Sequence, residues 1–150
     1  MIKKLQNKEI TIADNIRSVF QDSYAVEAKL LNAKDFPPLK RSLESYSKSK
    51  NYFFGYLKNH ELAGVIEINN ESDFTHIQSL VVAPNFFRQG IARQLMEFVL
   101  HTYNSKPFMV ETGAANAPAI ALYLKFGFKE VKQWNTESGI RKVRLNRIIR

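Results

Sequence analysis

Short apolar runs of strand type alternate along the chain with longer stretches of helical spacing. β-branched and aromatic residues bounded by Gly, Asn or Pro predict strands over residues 2–5, 52–57, 62–68, 75–82, 108–112, 128–134 and 140–149. Apolar residues that return every three or four positions predict four helices. The first is capped by Asn7 and runs to about Tyr24, and the others cover residues 39–47, 89–101 and 118–127. The predicted order is β-α-α-β-β-β-α-β-α-β-β.

This order predicts an α/β fold built on a mixed sheet. Turns at residues 59–60 and 69–73 join three strands into an antiparallel meander. The helix that follows Val82 is a crossover, so the strand over residues 108–112 should run parallel to the strand over residues 75–82. We expect one domain over residues 1–150, with about seven mostly antiparallel strands and four helices.

The most informative segment is residues 80–95, LVVAPNFFRQGIARQL. A strand stops at Pro84 and an amphipathic helix opens near Gln89, which places a helix N-terminus beyond the carboxyl end of a strand. Such an end carries about half a positive charge and binds phosphate. Gly90 removes the Cβ that would keep a phosphate from the backbone, and Arg88 and Arg93 add positive charge. The segment predicts a pyrophosphate site.

Residues 87–92 resemble the cofactor-binding motif of the GNAT superfamily of N-acetyltransferases, Arg/Gln-x-x-Gly-x-Gly/Ala. Residues 116–128, NAPAIALYLKFGF, resemble a second family segment, in which an Asn precedes a short helix that carries a Tyr and ends at Gly-Phe. One position departs from the pattern, because Phe87 stands first and the arginine follows at Arg88. Backbone amides bind phosphate without the side chain of the first motif position, so this departure predicts weakened rather than lost phosphate binding.

The resemblance implies a GNAT-like acyl-CoA N-acyltransferase fold with acetyl-CoA as acyl donor. In that family two parallel strands splay apart, and the pantetheine arm of the donor enters the gap. A backbone amide within residues 80–82 would polarise the acyl carbonyl. Asn116 would contact the cofactor, cap its helix, or do both. The cofactor-binding residues implied are Leu80, Val81, Val82, Arg88, Gln89, Gly90, Ile91, Ala92, Arg93, Asn116 and Tyr123.

The resemblance also implies catalytic roles. Tyr123 matches the family's tyrosine, and a phenol that is protonated at neutral pH can donate to a departing thiolate; the alternative is a core tyrosine on an amphipathic helix. Glu67 is the predicted base, because many relatives carry a carboxylate on that strand; alternatively, it faces solvent. Glu111 and His76 are further base candidates. Because the chain has no cysteine, direct attack of the amine on acetyl-CoA is the simplest mechanism.

Composition narrows the class of protein. The absence of cysteine excludes disulfides and thiolate metal sites, and favours a cytoplasmic location. No pair of His, Asp or Glu has convincing metal-ligand spacing, so no metal is predicted. No apolar run approaches the roughly 20 residues that cross a bilayer, and no signal-peptide core is present, so no membrane association is expected.

The net charge of +8 admits two interpretations. The basic residues are spread over the chain, which favours a solvated surface that attracts an anionic cofactor over nucleic-acid binding. The main hypothesis is therefore an N-acetyltransferase that acts on a primary amine of a small molecule, peptide or protein. The alternative is a non-catalytic module that binds acyl-CoA or nucleic acid. A longer acyl donor and a homodimer stay open.

The acceptor surface is the least determined part of the prediction. It should be formed by the first two helices, the turn at residues 69–73 and the last hairpin. In that first region Asp22, Glu27, Asp35 and Phe36 could meet a cationic, partly apolar amine, although all four are equally compatible with plain surface positions.

Overall fold

The fold is a seven-stranded mixed sheet with helices on both faces, seen in a computed structural model that describes residues 1–148. The strands are β1 (Ile2–Lys4), β2 (Tyr52–Lys58), β3 (Glu61–Asn69), β4 (Thr75–Val82), β5 (Phe108–Gly113), β6 (Lys129–Asn135) and β7 (Arg141–Arg147). The helices are α1 (Ile10–Leu30), α2 (Leu43–Ser47), α3 (Ile91–Thr102) and α4 (Ala117–Lys125). The sheet order is β1-β2-β3-β4-β5-β7-β6. The predicted fold class and order of elements are confirmed.

The first helix differs from its prediction at both ends. Glu9 is the residue that precedes it, and the side chain of Asn7 instead donates hydrogen bonds to the carbonyl oxygens of Tyr46 (2.8 Å) and Ser49 (3.1 Å). The C-terminal end lies at Leu30 rather than near Tyr24. Residues 25–30 are mostly strong helix formers, so nothing in the sequence stops the helix before residue 31.

The second predicted helix is interrupted. Residues Pro37–Lys40 form a single 3-10 turn, Arg41 is extended (φ −62°, ψ 126°), and α2 then starts behind Ser42, whose hydroxyl accepts from the Ser45 N–H at 3.1 Å. The break turns the Arg41 side chain inward, toward the sheet. The last predicted strand extended to Ile149; Ile149 and Arg150 lie outside the described residues.

The parallel strands β4 and β5 separate as the family resemblance implies. They pair at Thr75–Phe108, His76–Met109 and Ile77–Val110 and then diverge, although β4 continues to Val82 and β5 to Gly113. The divergence coincides with a β-bulge, because Glu67 lies opposite Ser79 and Ile68 opposite Ile77, which leaves Gln78 as an extra residue on β4. A gap therefore opens in the sheet beyond Ile77.

Two apolar cores lie on opposite faces of the sheet. One packs α3 and α4 against the sheet and includes Ile66, Leu95, Val99 and Leu145. The other packs α1 and α2 against β2, β3 and β4. Because α1 crosses β3 and β4, the same face of β5 and β7 stays open beside it. Within residues 1–148, no helix has both the length and the apolar character to cross a bilayer.

A buried ion pair ties the interrupted segment to the sheet. Glu67 on β3 is fully buried, and Arg41 donates to both of its carboxylate oxygens (Nη1–Oε1 2.7 Å, Nη2–Oε2 3.0 Å). Asn51 donates a third hydrogen bond to Oε2 at 2.8 Å. The Arg41 guanidinium also lies 4.0 Å from the centre of the Tyr46 ring. Arg41 and Asn51 together satisfy both Glu67 oxygens, so we expect strong coupling among these three residues.

Substitution of Arg41 by Met should reduce the free energy of unfolding by about 3 kcal/mol, because it leaves the Glu67 carboxylate buried without its counter-ion. Urea denaturation measures the loss. The matched control is Lys48→Met, which breaks the exposed pair with Glu44 on α2 and should cost less than about 1 kcal/mol. Equal losses in the two variants would show that the buried pair is not a stabilising contact.

Candidate active site

The loop between β4 and α3 leaves backbone N–H groups free at the start of the helix, where the sequence predicts an anion site. Arg88 and Gly90 both adopt positive φ (63° and 75°), and Gly90 is the residue that caps α3. Only glycine takes that conformation without strain. The N–H groups of the first helical turn, Ile91 to Arg93, have no partner within the helix and point toward the loop. No acidic side chain lies in this turn, so the positive end of the helix is not neutralised.

Three cations lie at this loop: Arg88 within it, Arg93 on α3 and Lys58 on β2. Arg93 lies against Gly90, where a Cβ would be 3.3 Å from its Nη2, and it also pairs with Glu97 (Nη1–Oε1 2.7 Å). Lys58, which was not predicted from the sequence, contacts the side-chain oxygen of Gln89. Because β2 and β4 are both antiparallel to β3, the C-terminal ends of β2 and β4 lie at the same end of the sheet. This antiparallel pairing was predicted from the sequence, so the sequence alone could have placed Lys58 near the loop.

An apolar groove of about 490 Å³, here called the donor groove, leads from this loop into the sheet gap. Val26 and Leu30 of α1 form one wall, and Leu122 of α4 forms another. Phe87, which is 42% exposed, also lines it. Of the predicted cofactor-binding residues, the groove is lined by Leu80, Val82, Arg88, Gly90, Ile91, Ala92, Arg93, Asn116 and Tyr123.

Backbone direction separates the three predicted β4 residues. The Ala83 N–H donates to the Ala63 carbonyl oxygen of β3 at 2.8 Å. Successive residues of an antiparallel strand direct their N–H groups to opposite edges, so Val81 also faces β3, whereas Leu80 and Val82 face the gap. The Val81 side chain is buried in the α1 core. Leu80 and Val82 therefore carry the polar backbone groups available to a ligand, and Val81 does not.

A second cavity of about 350 Å³, here called the inner cleft, lies between α1, the Pro37–Lys40 turn, β5 and the β6–β7 hairpin. Residues of the first helix, the segment after it and the last hairpin line this cavity, whereas the turn at residues 69–73, also predicted for the acceptor surface, does not. The residues that line both the donor groove and the inner cleft are Glu27, Leu80, Asn116, Ala119 and Tyr123. The two cavities therefore meet at these side chains.

Tyr123 occupies the junction on α4. Its side chain is 4% exposed, and its ring packs against Phe128 with centroids 5.7 Å apart. Burial raises the pKa of Tyr123 well above the ordinary value for tyrosine, and the nearby Glu27 carboxylate raises it further. The phenol is protonated at neutral pH, and burial makes it a weaker acid than an exposed tyrosine. Tyr123 is both a core residue and a cavity residue.

Asn116 and Glu27 bridge α4 and α1 at the same junction. The Asn116 Oδ1 accepts from the Ala119 N–H at 3.3 Å, so the helix-cap alternative is correct. Its Nδ2 donates to Glu27 Oε1 at 2.6 Å. Burial raises the pKa of Glu27, an effect that the Asn116 hydrogen bond and the Lys142 charge partly offset.

The three candidate bases have different surroundings. Within residues 1–148, Glu67 is not among the residues that line the inner cleft. Arg41 and Asn51 donate hydrogen bonds to its two oxygens, and of these three residues only Arg41 lines the cleft. Glu111 on β5 lines the cleft directly and lies opposite Arg144 in the sheet. His76 lies half-buried on the neighbouring strand, and burial lowers its pKa.

The remaining site predictions have simple outcomes. Gln89 lies outside the donor groove with its side chain exposed. Asp22 and Asp35 are exposed, whereas Phe36 lines the inner cleft. Across residues 1–148, no group of three or more His, Asp or Glu side chains is arranged to hold a metal ion.

Comparison with known proteins agrees with this geometry. Residues 24–148 match the family model described as an acetyltransferase (GNAT) domain. The chain belongs to the GNAT acetyltransferase family. It is similar to the UPF0157 protein YqkA of Bacillus subtilis, at 35% identity over 93% of this chain and 41% of that protein. It is also similar to an N-alpha-acetyltransferase of Saccharolobus solfataricus, at 39% identity over 38% of this chain and 36% of that protein. The aligned region thus spans about two fifths of these two relatives.

Solved structures show the same fold. The ribosomal-protein-S18-alanine N-acetyltransferase of Escherichia coli superposes with a TM-score of 0.76 at 22% identity, covering 99% of this chain and 93% of that one. The PaiA N-acetyltransferase of Thermoplasma acidophilum, solved with coenzyme A, superposes with a TM-score of 0.69 at 16% identity, covering 96% and 98%. At these identities the likeness establishes the fold of this chain.

Substitution of Gly90 by Asp should abolish binding of acetyl-CoA, because it adds bulk and negative charge where the loop is predicted to hold pyrophosphate. In the unsubstituted protein, acetyl-CoA at about 100 times its dissociation constant should add roughly 2.7 kcal/mol to the free energy of unfolding. Gly139→Asp is the matched control, since Gly139 also has positive φ (80°) and a Cβ at this position would have no atom within 4 Å.

Both variants should lose about 1 kcal/mol of intrinsic stability from backbone strain. Only the Gly90 variant should also lose the stabilisation by acetyl-CoA, which a thermal melt with and without the ligand measures. A Gly90 variant that keeps the full ligand effect would refute the placement of the pyrophosphate.

Proposed function

We propose that this protein is an acetyl-CoA-dependent N-acetyltransferase that acetylates a primary amine of a small molecule, peptide or protein by direct attack. One observation carries the proposal. The donor groove runs from a backbone anion site to Tyr123, and the inner cleft reaches the same tyrosine from the other side. A phosphorylated donor and an amine can therefore enter separately and meet at a buried phenol.

The donor half of the proposal rests on the loop and the sheet gap. The free N–H groups of α3 and the cations Lys58, Arg88 and Arg93 suit the pyrophosphate of acetyl-CoA. The apolar walls of the groove suit the pantetheine arm, and the gap-facing N–H groups of Leu80 and Val82 suit its amides and the thioester carbonyl. Phe87 lines the groove and is partly exposed, so its ring adds apolar surface there.

The reaction can then be written with its protons balanced. The neutral amine attacks the thioester carbonyl carbon, the C–N bond forms, and the C–S bond breaks. Tyr123 donates its proton to the departing thiolate, while a carboxylate takes a proton from the nitrogen. After the products leave, the carboxylic acid releases its proton to solvent and a proton from solvent returns to the phenolate.

For the base, the surroundings support Glu111 over the predicted Glu67. A general base must come within hydrogen-bond reach of the nitrogen, directly or through one water. Glu111 lines the inner cleft, whereas Glu67 would first have to leave its two hydrogen bonds with Arg41. We therefore propose Glu111 as the base, and we propose that Glu67 positions Arg41.

The non-catalytic alternative depended on Phe87 and on the charge of +8. No observation in residues 1–148 favours this alternative. The donor groove, which starts at the loop, also includes the titratable side chains of Glu27 and Tyr123. A cytoplasmic location and a homodimer stay predictions.

Tyr123→Phe tests the proposal most directly. The variant should lower kcat by about 100-fold or more, because the thiolate loses its proton donor, while the dissociation constant for acetyl-CoA changes little. Release of free CoA thiol in the presence of primary amines measures the rate, and mass spectrometry identifies the acetylated product.

The matched control is Tyr103→Phe, which removes a half-buried phenol at the C-terminal end of α3, away from both cavities. It should leave kcat unchanged. An unchanged kcat for Tyr123→Phe, or an equal loss of donor affinity, would remove Tyr123 from the acid role.

Two isosteric variants separate the base candidates. Glu111→Gln should lower kcat by about 100-fold with little change in stability, since it removes a proton acceptor from the cleft. Glu67→Gln should instead lower the midpoint of urea unfolding, because it weakens the buried ion pair, and should affect kcat less. A large kcat loss in the Glu67 variant with normal activity of the Glu111 variant would restore Glu67 as the base.

A further inference from the structure

The inner cleft has two chemically different sides. Tyr24 and Phe36 form an apolar wall, with their rings edge to face at 5.8 Å between centroids, and Pro37 and Pro38 extend it. The opposite side carries the carboxylate of Glu111 on the open face of β5. Glu27 lies where this side meets the donor groove. A ligand that fills the cleft therefore contacts apolar surface along one side and carboxylate oxygen along the other.

The balance of charge in the cleft favours a cation. Arg41 lines the cleft, but its guanidinium is paired with both oxygens of buried Glu67, so that pair is neutral as a unit. Among the described lining residues, the remaining charged groups are the Glu27 and Glu111 carboxylates and the Lys142 ammonium. One negative charge is left in excess among these lining residues; Arg144, opposite Glu111 on β7, does not line the cleft. In a partly enclosed site this charge attracts ammonium ions and repels carboxylates and phosphates.

Glu27 is built to hold such a cation near the reacting atoms. Asn116 donates to Oε1 at 2.6 Å and thereby fixes the carboxylate between α1 and α4. Of the two Glu27 carboxylate oxygens, only Oε1 accepts a hydrogen bond from the described residues, so Glu27 Oε2 can accept one from a ligand. Tyr123 lies close by, with a side chain that is 4% exposed, at the junction of the two cavities.

From this arrangement we infer that the acceptor is a small monocationic amine with an apolar body. Its ammonium group lies between Glu27 and Glu111, and its body packs on Tyr24, Phe36 and Pro38. The cleft volume of about 350 Å³ is near the lower end for ligand sites, which suits a small molecule. This inference rests on the proposed function, because it names the substrate class of the same site.

A panel of three amines of similar size tests the substrate class. The probes are 2-phenylethylamine, glucosamine and phenylalanine, with acetyl-CoA as donor and kcat/KM as the readout. We expect 2-phenylethylamine to exceed glucosamine, which lacks an apolar body, and phenylalanine, which adds a carboxylate, by about tenfold or more. Equal values, or a short peptide that reacts with a higher kcat/KM than 2-phenylethylamine, would overturn the inference.

Glu27→Gln tests the carboxylate itself. Gln keeps an oxygen that can accept from Asn116, so the bridge between α1 and α4 is retained while the charge is removed. We expect the KM for 2-phenylethylamine to rise by about tenfold or more, with smaller changes in kcat and in the dissociation constant for acetyl-CoA. The matched control is Asp22→Asn, which removes the same charge from an exposed position on the same helix and should leave the KM unchanged.

The outcomes distinguish this inference from the proposed function. A protein that neither binds acetyl-CoA in a thermal melt nor transfers acetyl to any amine contradicts the proposed function. A protein that binds acetyl-CoA but acetylates none of the small amines, or whose Glu27 variant behaves like the Asp22 variant, contradicts the inference alone. Calorimetric titration of 2-phenylethylamine into the complex with CoA gives a second readout that does not require turnover.

Discussion

The separation of β4 from β5 is the constraint on which the rest of the site depends. Parallel strands in a continuous sheet would pair along their full length, and no ligand could pass between them. Here the pairing ends at Ile77–Val110, where Gln78 is the extra residue of a bulge. The backbone groups that β5 would have satisfied become available at Leu80 and Val82. The donor groove and the inner cleft are the two sides of this opening.

Arg41 and Glu67 have a second consequence besides stability. Their pair joins the interrupted segment before α2 to the central strand, and it places the Pro37–Lys40 turn along the inner cleft. It also neutralises the guanidinium that would otherwise dominate the charge of that cleft. A buried ion pair contributes less to stability than its Coulomb energy suggests, because both ions lose their hydration. In this fold it sets the shape of the cleft and its charge.

The junction residues combine structural and chemical roles. Asn116 caps α4 with its oxygen and holds Glu27 with its nitrogen, so one side chain fixes the helix and orients a carboxylate. Tyr123 packs in the α3 and α4 core and also lines both cavities. Rigid helices and core packing hold such groups more precisely than a loop would. The alternatives that the sequence left open for Asn116 and Tyr123 are therefore not exclusive.

Local sequence determined the order of the elements and the loop before α3, because hydrophobic period, turn residues and a helix start at Gly90 are short-range properties. It could not determine where Glu67 points or what meets it. That depends on Arg41, which lies 26 positions away in the sequence and leaves its helical pattern to reach the sheet. The inner cleft likewise combines α1, β5 and the β6–β7 hairpin, whose closeness follows from sheet order. Tertiary structure alone decided the bulge, the gap and the surroundings of each carboxylate, since these arise from contacts between distant segments.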